Sequence, residues 1–319
     1  MKRSNLDVLA IGELNVDLIL NGIDGLPEIG KEKLAKNMAL TLGSSTAIFA
    51  ANVSSLGLKV GFLGKIGKDS FGKLVLDSLK EKEIDVSMVI EDENCATGAT
   101  VVLNYDEDRA NVTHLGAMEF LSIKDISDEQ LAQAKHIHFS SLFLQPGIRD
   151  DISTLFARAK QLGVTTSLDT QWDPDEKWDF DYRSILPNVD VFLPNEIELL
   201  NLSGTSCIED AFKKLNPFAR NIVVKCGSKG AVLHEKDCPA RKFSSYLNTS
   251  VVDAIGAGDS FNAGFVYSFV KGENIVDCVD LGLLTGALNT TSAGGTGAFA
   301  TKEKIRKIAM EKFNKKINL

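Results

Sequence analysis

Short apolar runs alternate with longer stretches of helical periodicity along most of the chain. The runs that predict strands are residues 7–12, 59–67, 99–105, 136–141, 165–170, 191–195, 221–227 and 231–235. Several of them are continuously apolar, which is typical of strands that are covered on both faces. The stretches that predict helices include residues 46–57, 71–83, 149–163 and 209–215. This order of elements predicts an α/β fold, in which a mainly parallel sheet has helices on both faces.

Two segments interrupt this alternation. Residues 13–36 contain strand-like pieces separated by Gly and Pro turn signals, and residues 95–115 resemble a hairpin with an acidic turn at Asp106-Glu107-Asp108. We predict that the two segments pair into a small β-sheet lid, inserted in a single domain that spans residues 1–319. Unpaired edges of short strands favour association, so the lid is also a candidate interface of a homodimer.

Composition and charge narrow the range of partners. The 319 residues are 44% hydrophobic and 24% charged, as in a globular protein, and the net charge is −8. This charge argues against a nucleic acid or an acidic membrane as partner, although a local positive potential can still bind an anionic substrate. The five cysteines are scattered and form no C-x-x-C pair, which is typical of reduced thiols in the cytoplasm. No apolar run approaches the ~18 residues of a membrane span, and the first run is too short for a signal peptide. We therefore expect a cytoplasmic protein.

The stretch "VVDAIGAGDSFNAGF", residues 251–265, combines a permissive loop with a carboxylate at the start of a helix. A strand-like pair, Val251 and Val252, precedes the small residues Gly256, Ala257 and Gly258. Such a loop lets a phosphate approach the unpaired N–H groups of a helix N-terminus. Asp259 would then be placed to accept a proton from a hydroxyl that attacks phosphorus. The alternative for this loop alone is an aspartate that caps a helix after a flexible turn.

Six motifs in order identify a resemblance that covers nearly the whole chain. They are "IGELNVDLI" near the start, "GKIGKDSFG" (64–72), "PNEIE" (194–198), "KCGSKG" (225–230), "DAIGAGDSFNAG" and "GLLTGALNTTSAGGTGA" (282–298). Together they resemble the PfkB (ribokinase-like) carbohydrate kinase family, whose members phosphorylate sugars and nucleosides with ATP. The resemblance implies a ribokinase-like three-layer α/β/α sandwich with a small β lid, and ATP and Mg²⁺ as cofactors.

The resemblance also implies roles for individual residues. Asp259 resembles the family's catalytic base, and the N–H groups of Gly256, Ala257 and Gly258 resemble its anion hole. Asn195 and Glu198 match an N-x-x-E element that organises Mg²⁺ through water. Asp253 and the Ile255 carbonyl match positions that bind K⁺ in ribokinase-type members. The implied ATP-binding residues are Asn195, Lys225, Gly227, Gly230, Gly258, Asn262, Leu284 and Ala287.

Several of these residues also have a plain structural explanation. Asn195 and Glu198 are suited to an ordinary helix start, and Asp253 is suited to capping its own turn. Lys229, in the glycine turn after a strand, is either near ATP or merely solvated. The stretch around Leu284 and Ala287 forms either a wall of the adenine pocket or an apolar face on which helices pack closely.

The acceptor side of the site is implied by Asn15 and Asp17, which match the family's N-x-D pair. Residues i and i+2 of a strand share a face, so both side chains can point at one ligand. Their oxygens can each accept a hydrogen bond from a sugar hydroxyl. Gly43, Ser44, Ser45 and Asp259 complete the implied acceptor site. The alternative for Asp17 is a surface carboxylate at a strand end.

Departures from the family pattern leave the acceptor open. Many relatives have a second glycine where this chain has Ser44, and an asparagine where it has Ile48; Asn52 lies about one turn further on. Ribokinases place an acidic residue in the stretch that corresponds to residues 136–144, where this chain has none. Asp173 stands near the position at which fructokinases and sugar-acid kinases often have an arginine. The transfer chemistry matches the family, but the recognition pocket differs from that of its best-known members.

The sequence therefore predicts an ATP-dependent kinase of a small sugar, such as ribose, fructose or a related monosaccharide. One alternative is a nucleoside kinase, for which Phe49, Phe139, Phe143 and Trp172 offer aromatic surface for a base. A catalytically inactive sugar-binding regulator is the other, although Asp259, Asn195 and Glu198 are all present. A dinucleotide-dependent oxidoreductase is disfavoured because no G-x-G-x-x-G follows the first strand.

Overall fold

The structure is a computed structural model that describes residues 5–105 and 108–319. The acidic turn predicted around Asp106 and Glu107 lies outside these residues. The strands are β1 (Leu6–Ile11), β2 (Asn15–Asn21), β3 (Asn37–Leu42), β4 (Val60–Leu63), β5 (Lys65–Gly67), β6 (Ile90–Asp92), β7 (Gly98–Tyr105), β8 (Asp108–His114), β9 (Ala134–Ser140), β10 (Thr165–Asp169), β11 (Val191–Phe192), β12 (Asn221–Lys225), β13 (Ala231–Glu235) and β14 (Arg241–Phe243). The α-helices are α1 (Ser45–Leu56), α2 (Ser70–Glu81), α3 (Asp128–Leu131), α4 (Pro146–Arg149), α5 (Ile152–Gln161), α6 (Tyr182–Ile185), α7 (Glu196–Ser203), α8 (Ile208–Leu215), α9 (Ala257–Val270), α10 (Ile275–Asn289) and α11 (Lys302–Phe313).

The large sheet is mainly parallel. Within the described residues its order is β14-β13-β12-β11-β10-β9-β1-β4. The strands from β4 to β12 pair in parallel, whereas β13 and β14 are added antiparallel at one edge. The predicted strand at residues 59–67 is instead two strands, because the chain leaves the large sheet at Gly64 and β5 pairs with β6. The predicted strand at residues 99–105 lies in the small sheet rather than the large one.

Helices cover both faces of the large sheet, as the continuously apolar strands predict. In β1, Val8 and Ala10 belong to a core that includes buried residues of α1, α9 and α10. Leu9 and Ile11, which point to the opposite face, belong to a second core with residues of α5 and α8. The two cores on either side of one sheet confirm the predicted three-layer α/β/α sandwich.

The small sheet has one polar and one apolar face. Its order is β3-β2-β7-β8, so strands from both predicted lid segments pair, and β3 follows directly after the segment 13–36. One cross-strand row consists of Thr41, Asp17, Thr100 and Thr113. The neighbouring row, which points to the opposite face, consists of Leu40, Leu18, Val101 and Val112. The polar face carries the predicted acceptor residue Asp17, and the role of this sheet as a lid stays a prediction.

The carboxyl ends of the parallel strands bring the predicted chemistry to one edge of the sheet. Asp169 ends β10, Lys225 ends β12, and Asn195 follows β11. Ligands of open α/β sheets bind at this edge, outside the strand ends. No helix among residues 5–105 and 108–319 is long and apolar enough to cross a membrane.

Candidate functional site

The predicted anion hole lies at the N-terminus of α9. Gly256 precedes the helix in a left-handed conformation with φ 74°, and the described residues provide no side-chain cap there. A Cβ on Gly256 would lie 2.7 Å from the Gly295 Cα, so this position requires glycine. The strand-like lead-in predicted at Val251 and Val252 is wrong, because both side chains are exposed and Val252 N–H binds the Thr290 carbonyl rather than a strand. The predicted anion hole consists of the N–H groups of Gly256, Ala257 and Gly258 at the positive end of the helix dipole. The Ala257 N–H donates to the Ala254 carbonyl at 3.2 Å, so a phosphate would compete with this bond.

Asp259 lies in the first turn of α9 and is buried. The side-chain amide of Gln171 donates to its Oδ1 at 3.0 Å. Burial, and then repulsion by Asp169, raise the pKa of Asp259 to about 8, although Lys225 opposes the rise. A carboxylate with a pKa near neutrality is suited to accept a proton in this pH range.

Asp169 and Lys225 form a largely buried ion pair beside the predicted anion hole. Lys225 Nζ lies 2.5 Å from Asp169 Oδ2, and the same oxygen accepts from Asn262 Nδ2 at 2.5 Å. A Cβ on Gly258 would be 3.7 Å from Lys225 Nζ, so the ammonium borders the start of α9. Burial alone would lower the pKa of Lys225, but the attraction of Asp169 and Glu198 raises it above its usual value. The site therefore holds a permanent positive charge next to the anion hole.

Asn195 and Glu198 form a reciprocal capping box at the start of α7. Asn195 Oδ1 accepts the Glu198 N–H at 2.8 Å, and Glu198 Oε2 accepts the Asn195 N–H at 2.9 Å. The ordinary helix start that we considered is thus realised, and it places a buried carboxylate at the sheet edge. Burial, and then Asp169, raise the pKa of Glu198 to about 7. Carboxylate and amide oxygens fit Mg²⁺, which favours hard oxygen ligands and retains water.

The predicted nucleotide loop forms a tight turn after β12. Gly227 and Gly230 have φ 56° and 102°, and a Cβ on Gly230 would clash with the Phe243 carbonyl. The Lys229 side chain is 78% exposed and lies 3.6 Å from Glu196, whereas the Lys225 side chain is 12% exposed. Of the two lysines, Lys225 is the one at the anion hole.

The predicted adenine wall lies on α10, which packs against α9. Leu284 and Ala287 are buried. A Cβ on Gly286 would be 3.2 Å from the Ala257 carbonyl, so the small residue permits the close approach of the two helices. The packing explanation therefore accounts for Gly286, and contact of Leu284 and Ala287 with adenine stays a prediction.

On the acceptor side, the structure brings Asn15, Asp17 and Gly43 together. Asn15 Nδ2 donates to Asp17 Oδ1 and to Thr100 Oγ1, both at 3.0 Å. A Cβ on Gly43 would lie 2.3 Å from Asp17 Oδ1, so a side chain there would displace the carboxylate. Burial raises the pKa of Asp17 to about 6, with the Asn15 hydrogen bond opposing the rise.

Glu13 is a buried acidic residue that our sequence analysis did not select. Its Oε1 accepts the Thr46 N–H at 3.2 Å and the Ser141 hydroxyl at 2.9 Å, and its other oxygen accepts the Thr46 hydroxyl. Burial raises its pKa. Ser44, at φ 71°, donates its hydroxyl to the Glu13 carbonyl at 2.7 Å and caps the Ala47 N–H at 2.9 Å, while Ser45 begins α1. The only sequence signal for Glu13 is an acidic residue directly after an apolar strand.

The residues at the divergent positions have structural contacts. Ile48 packs behind the anion hole, where its side chain lies close to Gly256 and Gly295. Asn52 donates to Ser260 Oγ and to the Gly295 carbonyl, both at 2.9 Å. Asp173 accepts the N–H groups of Asp175 at 3.0 Å and Trp178 at 2.6 Å and thereby orders its own loop.

The predicted potassium site contains carboxylate and carbonyl oxygens, which are suitable ligands for K⁺. The Asp253 carboxylate accepts the N–H groups of Ile255 and Gly294, each at 2.9 Å. The Ile255 carbonyl accepts from Asn289 Nδ2 at 2.6 Å. The buried Asn52 Oδ1, whose amide nitrogen contacts this same loop region, has no hydrogen-bond partner among the described residues. Such an acceptor suits a cation, so the residues fit K⁺.

Asp169 and Gln171 are further residues that sequence analysis missed as part of the site. They occur in "LDTQ" at the end of a predicted strand, where polar residues following an apolar run were the available signal. Their partners are far away in sequence: Lys225 is 56 residues from Asp169, and Asp259 is 88 residues from Gln171.

Comparison with known proteins assigns the family. The model of the pfkB family carbohydrate kinases matches residues 5–302. The chain belongs to this family. The match confirms the predicted enzyme class, an ATP-dependent carbohydrate kinase, and agrees with the ribokinase-like fold.

Individual relatives differ in the acceptor that their names state. The chain is 29% identical to an ATP-dependent ribose-1-phosphate kinase of Halopiger xanaduensis, over 96% of this chain and 99% of that one. It is also 29% identical to a 5-dehydro-2-deoxygluconokinase of Lacticaseibacillus casei, over 82% and 83% of the two chains. The solved structure of Arabidopsis thaliana ribokinase complexed with ribose and ATP is 25% identical, with a TM-score of 0.81, covering 95% of this chain and 98% of that one. As a PfkB kinase, the chain thus resembles enzymes for several acceptors.

Proposed function

We propose that this PfkB kinase transfers the γ-phosphoryl group of ATP to a hydroxyl of a small sugar, such as ribose, fructose or a related monosaccharide. The observation that carries the proposal is the position of Asp259 in the first turn of α9, directly behind the uncapped loop at Gly256. An anion hole and a base on the same helical turn can hold the phosphoryl group and remove the proton of the hydroxyl that attacks it.

In the proposed mechanism, Asp259 removes the proton of the acceptor hydroxyl as that oxygen attacks phosphorus. The N–H groups of Gly256 and Gly258 bind the transferred phosphoryl oxygens, and that of Ala257 joins them by giving up its 3.2 Å hydrogen bond to the Ala254 carbonyl. Lys225 supplies a positive charge beside them and Asn262, one turn after Asp259, holds the same ion pair, which supports their roles in ATP binding. Mg²⁺, when bound, supplies positive charge that screens the phosphates, and Asn195 and Glu198 would hold it through water. Gly227, Gly230, Leu284 and Ala287 complete the proposed nucleotide site.

The acceptor is bound, in this proposal, from the polar face of the small sheet. Asn15 and Asp17 share that face, and their oxygens suit the hydroxyl donors of a polyol. Gly43 keeps the space beside Asp17 open. Ser44 is proposed to shape the site through its unusual backbone, because its hydroxyl already donates to Glu13. Ser45 would contribute from the start of α1.

We further propose that K⁺ binds at Asp253 and the Ile255 carbonyl and stiffens the loop before the anion hole. The Vibrio cholerae fructokinase structure described as bound to fructose, ADP and potassium shares this fold, with a TM-score of 0.75 and 24% identity. The test is the rate in K⁺, Na⁺ and a bulky organic cation at equal ionic strength. Stimulation by K⁺ is the expected result, whereas equal rates in all three would remove the site.

A homodimer through the small sheet remains part of the proposal. The apolar row with Leu40 and Val112 is exposed at its two ends, and a second copy of the chain would cover it. Light scattering on the wild type and on a Leu40→Glu variant tests this interface. A dimer that the substitution converts to a monomer is expected; a monomeric wild type would refute it.

A nucleoside kinase is the second candidate, and Trp172 favours it. Phe49 stacks on His138, Phe139 packs edge-on against Phe156, and both are fully buried. Phe143 is also buried and packs edge-on against Trp178, so none of the three is available to a base. Trp172, next to Gln171, is 48% exposed and packs edge-on against Trp178. Of the four aromatic side chains that the sequence suggested, only Trp172 has surface that a nucleobase could contact.

An ADP-release assay with purified protein tests the proposal. The acceptors are ribose, fructose, tagatose, sugar acids, ribose 1-phosphate, adenosine and pseudouridine, each with MgATP. Turnover of a monosaccharide that disappears in Asp259→Asn is the expected result. Turnover of nucleosides alone would favour the second candidate, and ATP binding with no turnover of any acceptor would favour a sugar-binding regulator.

A further inference from the structure

The side chain of Gln171 lies between the buried ion pair and the base. Its Nε2 donates at 3.0 Å to Asp259 Oδ1 and at 3.0 Å to Asp169 Oδ2. A side-chain amide carries two N–H donors, so both are used, one on each carboxylate. No other described hydrogen bond joins Asp169 to Asp259 through a single side chain.

The backbone at Gln171 is held in an unusual conformation. Its φ is 60°, in the left-handed region that a residue with a Cβ rarely adopts. Such a conformation is strained and persists where the surrounding structure requires it. Here it follows the end of β10 by two residues, and it accompanies a side chain directed at the first turn of α9.

We propose that Gln171 is a positioning residue of this kinase, which fixes the Asp259 carboxylate through Oδ1 and leaves Oδ2 for the acceptor hydroxyl. The inference rests on the proposed function of Asp259. Because Asp169 also accepts from Lys225 and Asn262, Gln171 ties the base to the same carboxylate that holds the groups at the phosphate. The orientation of the Asp259 carboxylate and the position of the Lys225 ammonium thereby depend on one hydrogen-bonded unit.

The charged groups around Asp259 come from four elements. Asp169 from β10, Glu13 after β1 and Glu198 from α7 all disfavour ionisation of Asp259, whereas Lys225 from β12 favours it. The N–H of Gln171 donates to the carboxylate and stabilises its charged form. Loss of this donor therefore leaves the repulsive groups in place and makes ionisation of Asp259 harder.

The test compares Gln171→Leu and Gln171→Glu with the wild type, using the best acceptor of the ADP-release assay. We expect Gln171→Leu to lower kcat by roughly tenfold to a hundredfold, with KM for ATP and acceptor within about threefold. The acid limb of the kcat/KM profile should move up by roughly one pH unit, because the hydrogen bond from Gln171 stabilises the charged form of Asp259. Gln171→Glu preserves the shape of the side chain and adds a negative charge, so its limb should move further. Wild-type kcat and an unmoved limb in either folded variant would overturn the proposal.

Gln145→Leu is the matched control. Gln145 is also a buried glutamine near this sheet edge, but its amide donates to the backbone carbonyls of Ser140 and Ser141. Its loss is expected to lower stability without moving the pH profile; an equal shift in both variants would mean that general loosening, and not Gln171, sets the profile.

A direct titration separates this inference from the proposed function. If the wild type phosphorylates no acceptor, the proposed function fails. The pKa of Asp259, followed by NMR in aspartate-labelled protein with and without Gln171→Leu, still decides the role of the amide. An upward shift in the variant supports the contact, and an unchanged value overturns it.

Discussion

The N-termini of α1 and α9 lie at the same sheet edge and each has a buried carboxylate nearby, but they differ in what occupies them. At α1, Ser44 caps the helix and the buried Glu13 carboxyl accepts the Thr46 N–H, so groups of the protein already occupy the position. At α9, the described residues provide no side-chain cap after Gly256, and Asp259 is held from outside the helix by Gln171. Side chains of the protein thus satisfy the N-terminus of α1, whereas at α9 the proposed function assigns the corresponding place to a phosphate.

The largest effect is expected at the N-terminus of α9, where the described residues provide no side-chain cap. Asp259→Asn keeps the size of the side chain but removes the base, and kcat should fall by ~10²-fold or more. Binding of ATP and sugar should stay near normal, because the anion hole is backbone. Steady-state kinetics and isothermal titration measure the two parts. A variant that retains more than half of the wild-type kcat would exclude Asp259 as the base.

The second-largest effect is expected at Asp17, near the capped N-terminus of α1. Asp17→Ala removes an acceptor of sugar hydroxyls and leaves them unpaired, at a cost of ~1–3 kcal/mol. The value of kcat/KM for the sugar should fall roughly tenfold to a hundredfold, while KM for ATP stays within about twofold. A large rise in KM for ATP with unchanged affinity for the sugar would show that Asp17 lies on the ATP side of the site and not on the acceptor side.

Stability should separate the two carboxylates. Glu13→Ala leaves the Thr46 N–H and the Ser141 hydroxyl buried without their acceptor, so the free energy of unfolding should fall by about 2 kcal/mol. Asp259→Asn should cause no such loss. Urea unfolding of both variants is the measurement, and equal destabilisation would abolish the distinction between a structural and a functional carboxylate.

The pH dependence of stability sharpens the same contrast. The pKa of Asp259 is about 8 in the folded protein and 3.8 as its ordinary value, so the folded state retains a proton that the unfolded chain has lost. Its stabilising contribution is complete below the lower value and is lost as pH rises through the higher one. The difference in Tm between Asp259→Asn and wild type should therefore grow from about pH 5 to about pH 8, with each kcal/mol of lost stability shifting Tm by roughly 2 °C. A constant difference across this range would contradict the raised pKa.

The smallest effect is expected at the metal site. Glu198→Gln retains a capping side chain but lowers the negative charge that would hold Mg²⁺ through water. The metal concentration for half-maximal rate should rise roughly tenfold, as for other outer ligands, with kcat at saturating metal nearly recovered. Lys229→Met is a matched surface control with an unchanged titration. If the Glu198 variant also titrates like the wild type, Glu198 does not hold the metal.

The fold class and the layout of the loop before α9 can both be inferred from the chain alone. Apolar periodicity is a property of neighbouring residues, and the predicted helices at 46–57, 71–83, 149–163 and 209–215 correspond to α1, α2, α5 and α8. The loop at Gly256 could be interpreted because its small residues and the carboxylate after them are contiguous. The PfkB resemblance extended this interpretation to residues that are far apart in the chain.

Which side chains meet depends on how the elements pack. The contacts of Gln171 with Asp259 and of Glu13 with Thr46 and Ser141 join segments that are tens of residues apart, and strand order rather than local pattern brings them together. The same is true of the strand predicted at 59–67, which divides between two sheets because its second half pairs with β6. Local sequence encodes the preferences of each element, but burial raises a pKa and a distant donor orients a base only after the elements have packed, and this packing made α9 rather than α1 the open helix end.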